Sequence, residues 1–156
     1  MVGALSDVGN VRRVNEDSIG YFQDGKKSIF VIADGVGGHN AGEIASQIAV
    51  NSTIEYIKKC DDMTYPKEIL EAVILTANEN IYRRALEGEE MNGMGTTITA
   101  CLIYGGSVFI ANVGDSRGYV LKDRLMKVTK DHSLVQELLD EGSITEEQAW
   151  KHPSRN

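Results

Sequence analysis

The chain has 156 residues, 42% of them apolar, enough for one domain with a real core and too few for two. Its 16 basic against 23 acidic residues give a net charge of −7, so the basic footprint needed to neutralise a nucleic-acid backbone is missing and nucleic acid is excluded as a partner. The longest apolar runs, Ile29 to Ala33 and Ala100 to Tyr104, fall far short of the roughly 20 residues that cross a bilayer, which excludes membrane insertion.

In chain order, Asp7, Arg12, Arg13, Glu16 and Asp17 break up the N-terminal stretch and leave no apolar core for a signal peptide, so a cytoplasmic location is expected. Strand-like runs follow at Ser18–Phe22 and Ser28–Ala33, with a turn at Gly25 between Asp24 and Lys26. A first helix is capped by Asn40 with Glu43 three positions on, and Ile44, Ala45, Ile48 and Ile57 fall near one face. A second begins near Pro66, with Leu70, Val73, Ile74, Ala77 and Ile81 at helical spacing as core residues. Strands return at Thr96–Tyr104, Ser107–Val113 and Arg117–Lys122; Gly105-Gly106 joins the first two as a hairpin, because that dipeptide tolerates the positive φ angles of a tight turn. The tail from Asp131 reads as a short polar helix, a stop at Gly142, and another short helix capped by Thr145 with Gln148. Strands, two helices, more strands and a helical flap make an α+β order rather than an alternating α/β one. Cys60 and Cys101 are far apart, suit a reducing compartment, and are expected as buried small hydrophobes.

The stretch "FVIADGVGGHNAGEIAS", Phe30 to Ser46, stops an apolar run on an aspartate before a glycine-rich segment. A tight turn, a phosphate-cradling loop and a metal-binding carboxylate at a strand end are the competing readings. Gly35, Gly37 and Gly38 imitate a dinucleotide fingerprint, but Asn40 stands where glycine is required, Glu55 falls inside a helix, and Asp34 would repel a pyrophosphate. The P-loop imitation "GYFQDGKKS" has Lys27 where a hydroxyl should hold magnesium and leads into a strand; it reads as a hairpin turn with solvated lysines. A Cys-x5-Arg loop is ruled out by Pro66 and Ser107 at the arginine positions, and His39, His132 and His152 form no zinc-protease pair. What remains is oxygen chemistry. Glu16 and Asp17 precede one strand, Asp34 ends the next and Asp115 follows another, with Gly35 able to bring a carbonyl close: a donor set suited to hard cations such as Mg2+ or Mn2+. A carboxylate abutting "IFVIA" would be costly near the core without a partner.

On "VRRVNEDS", "VIADGVGGHNAGEIAS", "GMGTT", "NVGDSRGY" and "HPSRN", running in order from Arg12 to Asn156, the chain resembles the metal-dependent protein phosphatases of type 2C in their bacterial serine/threonine branch. The resemblance implies a central antiparallel β-sandwich flanked by helices (four-layer αββα), with a flap over 131–155. It also implies a pair of Mn2+ or Mg2+ ions and a third position. Asp34 would bridge the pair, Gly35 would lend its carbonyl, Glu16 and Asp17 would hold ions or their waters, and Asp115 would serve the third position. Arg12 would grip the phosphate of a phosphoprotein, itself the target of a serine/threonine kinase, while water attacks phosphorus with no covalent phospho-enzyme. The glycines after Asp34 are expected to turn the chain sharply, so that carboxylate and carbonyl both face the ions.

Val36 stands where some members carry a histidine after the Asp-Gly pair, which leaves the general acid unassigned. The family continues beyond "HPSRN" with further strands and acidic segments of the kind Asp-Gly-x-x-Asp and Asp-Asn. The chain therefore reads as a single domain over 1–156, truncated, incomplete at its C-terminus, with self-association of its open edges expected. A catalytically inactive fragment, or a binding or nucleotide-dependent regulatory domain, is the competing reading.

Overall fold

The computed structural model describes residues 1–37 and 41–155. Strands β1 (Asp17–Gln23) and β2 (Lys27–Val36) form the first antiparallel hairpin, with Gln23 opposite Ser28 and Asp17 opposite Asp34. The Asp24 carboxylate accepts from the backbone N–H groups of Lys26 and Lys27, both at 2.9 Å, and closes the turn. Helices α1 (Ala41–Lys59) and α2 (Pro66–Ala85) follow, then the short strand β3 (Gly95–Thr96), β4 (Ile98–Tyr104) and β5 (Ser107–Val113). The sheet order is β1-β2-β4-β5, all antiparallel, and β3 extends the pairing at the end of β2. Gly105 and Gly106 take φ of 57° and 76°, the positive angles expected of the β4–β5 hairpin. A separate ribbon of β6 (Tyr119–Leu121) and β7 (Leu125–Lys127) leads to α3 (Leu134–Asp140) and α4 (Glu146–Trp150).

Strand alternation divides the sheet into two unlike faces. Ile29, Val31, Ala33, Ile98, Ala100 and Leu102 point to one side and pack under α1 and α2 against Ala49, Val50, Ile57 and Val73. Ile29, Ile57, Val73 and Leu102 are wholly removed from solvent, each worth about 1.5–3 kcal/mol of burial. The opposite face carries a row of Tyr21, Phe30, Cys101 and Ile110 in register, with Ile19 and Ile32 paired beside it. Tyr21 and Phe30 stack there at 6.1 Å, and Ile19, Tyr21, Ile32, Ile103 and Val108 stay exposed. No described helix is long and apolar enough to cross a membrane.

The α+β class and the antiparallel sheet are as expected, and the described residues supply one helical and one sheet layer of the four anticipated. Local departures have physical causes. The run from Thr96 to Tyr104 is split because Thr97 receives the Asp34 N–H on its side-chain oxygen rather than on its carbonyl, interrupting the ladder. Arg117–Lys122 contracts to Tyr119–Leu121 because Arg117 is drawn to Asp131 and the Gly118 N–H to the Thr129 hydroxyl. Its partner β7 is only three residues long, too short to register as a strand pattern. Lys27 is not solvated: it is buried, and its ammonium donates to the Cys60 carbonyl beyond the end of α1. Cys60 and Cys101 are half-buried rather than fully buried, and neither forms a disulfide. The expected cap at Asn40 lies outside the described residues, whereas the Thr145–Gln148 capping box is present with both of its hydrogen bonds.

Candidate functional site

The hairpin register alone sets Asp17 across from Asp34, and alternation points both to the open face, at the end of its apolar row. Asp115 follows β5 and faces the same space: it lines, with Asp34, a cavity of about 1040 Å3 that is also lined by α3, α4 and the residues after them, including Leu139, Trp150 and Arg155. Asp34 lies exposed at the strand end rather than against the core as expected, and what partial burial it has, then the charges of Asp17 and Asp115 and a hydrogen bond shared with Asp17, push its carboxyl above its ordinary value, with Arg12 opposing them. Acidic groups that disfavour one another's ionised form are what a divalent cation relieves, and the donors are all oxygen, as hard cations require. Among the described residues, no three His, Cys, Asp or Glu side chains converge closely enough to cage an ion as they stand.

Threonines fix the central aspartate. The Asp34 N–H donates to Thr97 Oγ1 at 3.0 Å, and the Asp34 carbonyl accepts from the Thr97 N–H at 2.9 Å and the Thr96 hydroxyl at 3.0 Å. Thr97 Oγ1 also lies 2.8 Å from Ser116 Oγ, which ties the end of β2 to the loop that carries Asp115. Within "GMGTT", then, the two hydroxyls hold backbone in place, a role the sequence motif did not disclose.

The expected sharp turn after Asp34 is corrected. Strand β2 runs on through Gly35 and Val36, which pair with Thr96 and Gly95. Glycine is required at 35 for a different reason: a Cβ there would overlap the Gly42 carbonyl of α1 outright and come within 2.7 Å of the Glu16 carbonyl. Helix and strand touch through bare backbone at this point, and the Gly35 N–H donates to the Glu16 carbonyl at 3.1 Å.

Glu16 enters the site from this crossing. A Cβ on Gly42 would stand 2.7 Å from its Oε1, so its carboxylate lies over the first turn of α1, where the helix dipole favours negative charge. Arg12 Nη1 reaches Glu16 Oε2 at 3.2 Å, with the arginine 70% exposed and the glutamate 14%. The guanidinium is thus beside the acidic groups and open to solvent. Ser46, fully buried on α1, donates to the Glu16 carbonyl at 2.6 Å and lies 2.8 Å from Ser18 Oγ, clipping the strand entry to the helix. Its place near the end of the quoted stretch was its only sequence signal. Gly38 and His39 lie outside the described residues.

Arg117 and Asp131 complete the surroundings. Arg117 Nε and Nη2 approach Asp131 Oδ2 at 2.8 and 2.6 Å, and Lys127 Nζ approaches Oδ1 at 3.2 Å. Burial alone would raise the Asp131 carboxyl, but the bonds from Arg117 and Lys127 outweigh it and hold the group below its ordinary value.

Comparison with known proteins bears on this geometry. A family model described as protein phosphatase 2C matches residues 10–152. The serine/threonine phosphatase stp of Listeria innocua is 42% identical over 156 residues, covering 97% of this chain and 62% of that protein. The crystal structure of serine/threonine phosphatase Stp1 from Staphylococcus aureus superposes with a TM-score of 0.88 at 38% identity, covering 97% of this chain and 61% of the other. That of the catalytic domain of the serine/threonine protein phosphatase PstP, in complex with two manganese ions, superposes at 0.82 and 38% identity, covering 93% and 61%. The chain therefore spans about 62% of the length of the Listeria relatives it matches.

Proposed function

Because the chain belongs to the protein phosphatase 2C family, we propose that it serves, as part of a longer catalytic domain, in the metal-dependent hydrolysis of phosphoserine and phosphothreonine on proteins. The observation that carries this reading is the cross-strand pair Asp17–Asp34, with Asp115 acting on the same carboxyl from the loop after β5. Asp34 and Asp17 would hold two ions, Mn2+ or Mg2+, with the Gly35 carbonyl and Glu16 contributing at the helix crossing and Asp115 at a third position. Bound divalent cations would supply Lewis acidity and a lowered water pKa. The chain's own groups do the rest. Arg12, exposed beside Glu16, swings to hold two phosphate oxygens with its planar fork and stays charged at any working pH. The Thr97 hydroxyl keeps Asp34 from drifting along the strand as charge moves nearby.

The substrates would be phosphoproteins made by a serine/threonine kinase, met in the cytoplasm. The flap over 131–155 lines the cavity and would face the bound protein. The open apolar sheet face supports both the longer catalytic domain and self-association of the 156-residue chain. A second reading, binding without catalysis, is favoured by the absence, among the described residues, of any three acidic, His or Cys side chains close enough to cage an ion.

Mn2+-dependent hydrolysis of p-nitrophenyl phosphate separates the two, run on the 156-residue chain and on a form lengthened to the span of its relatives. Turnover in the longer form that disappears with Asp34→Asn supports hydrolysis. No turnover in either form supports the binding role.

A further inference from the structure

The loop after β5 is stitched at both its ends to the root of the flap. The Asn112 side-chain amide donates to the carbonyls of Gly114 at 3.1 Å and Lys130 at 3.2 Å. The His132 N–H donates to the Gly114 carbonyl at 2.9 Å, and the Gly118 N–H to Thr129 Oγ1 at 3.0 Å. At the centre is Asp131, whose side chain is only 5% exposed and has both oxygens engaged: one by two nitrogens of Arg117, the other by Lys127. Asp115 lies between Gly114 and Arg117, so both ends of its short segment are tied to this root. Two residues after Asp131, Ser133 caps α3 by accepting the Gln136 N–H at 3.3 Å. From α3 the flap continues along the cavity that Asp34 and Asp115 line.

We propose that Asp131 is a positioning residue: through Arg117 it holds the Gly114–Arg117 loop, and with it the Asp115 carboxylate, in register with the flap. The inference deepens the metal reading, since it rests on Asp115 as a cation ligand. A single buried carboxylate would then couple the width of the substrate cavity to the placement of a metal-binding group. The surface side of the pair is Arg117, about half exposed, so the contact can be weakened from that side without emptying a buried site.

Hydrogen–deuterium exchange on wild type, Asp131→Asn and Arg117→Lys, each with and without Mn2+, tests this. Arg117→Lys keeps Lys127 on the carboxylate and guards against an unfolded Asp131→Asn. Without metal, both variants should speed exchange at the Gly114, Gly118 and His132 amides by about tenfold or more, as losing a charge-assisted hydrogen bond implies, while β2 and β4 are unchanged. Unchanged amides at Gly114 and Gly118, or a rise spread evenly over the sheet, overturns the proposal. With Mn2+, protection gained around Asp115 in wild type should be lost in both variants and kept at Asp17 and Asp34; survival around Asp115 in both overturns it equally. Mn2+ without effect on any wild-type amide sinks the metal reading and, with it, Asp115 as a ligand, while the metal-free arm still decides whether Asp131 holds the loop.

Discussion

Replacing Gly35 by alanine decides why glycine stands beside the central aspartate. A turn would require glycine for its positive φ; the crossing with α1 requires it for space. An added Cβ would overlap the Gly42 carbonyl and crowd the Glu16 carbonyl at 2.7 Å, and both obstacles are backbone, so neither can rotate away. Overpacking of this kind costs about 1–3 kcal/mol, and rigid neighbours place Gly35→Ala at the upper end, about 3 kcal/mol. For a chain of this length that lowers Tm by roughly 6–12 °C. Gly25→Ala is the control: φ is 84° there but nothing lies within 4 Å, so the cost is only the left-handed conformation, about 1–2 kcal/mol. Gly42→Ala should be milder than Gly35→Ala, because its two nearest contacts are on the movable Glu16 side chain and the backbone it meets, the Gly35 carbonyl carbon, stands at 2.9 Å rather than in outright overlap. Urea unfolding of the three variants, followed by circular dichroism at low concentration, ranks them. A Gly35→Ala variant no less stable than Gly25→Ala would refute the packing account.

Arg12→Lys should leave stability within about 0.5 kcal/mol, since the side chain is exposed, yet lower kcat/KM for phosphoester hydrolysis in the active form by about 10- to 100-fold through loss of the planar fork; equal kinetics would remove Arg12 from phosphate binding. Asp131 is held below its ordinary value of 3.8, so its contribution is full above that pH and is lost as pH falls through the lower folded value. Asp131→Asn should therefore cost about 1–3 kcal/mol near neutrality, less than a fully buried pair because its partners are partly exposed, and flatten the acid limb of stability against pH; an unaltered limb contradicts this. Sedimentation of the 156-residue chain should show concentration-dependent association through the apolar face of Tyr21, Ile32 and Val108, weakened by Ile32→Lys; a monomer at all concentrations speaks against it.

Much of the site was readable because it follows from period-two alternation and a hairpin. Once Gly25 closes the turn, Asp17 and Asp34 must face each other, and no tertiary knowledge is needed. The same holds for the Gly105-Gly106 hairpin and the Thr145–Gln148 box, whose determinants are local. What escaped is what depends on elements distant in sequence. Gly35 is set by Gly42 of α1, Ser46 by the Glu16 carbonyl, Thr97 by the Asp34 backbone, and Lys27 by the Cys60 carbonyl. Each is a small or polar residue whose partner cannot be guessed before the helix is docked on the sheet. The Arg117–Asp131 pair was missed for the same reason, since its 14-residue separation carries no periodic signal.

The central claim is that carboxylates at the end of one hairpin gather divalent cations, and anomalous scattering from crystals grown with Mn2+ tests it most directly. The account predicts peaks within coordination distance of the Asp34 carboxylate, shared with Asp17 and lost in Asp34→Asn. Ordered crystals with no anomalous density at Asp34, or with the same peaks in the Asp34→Asn variant, would contradict it.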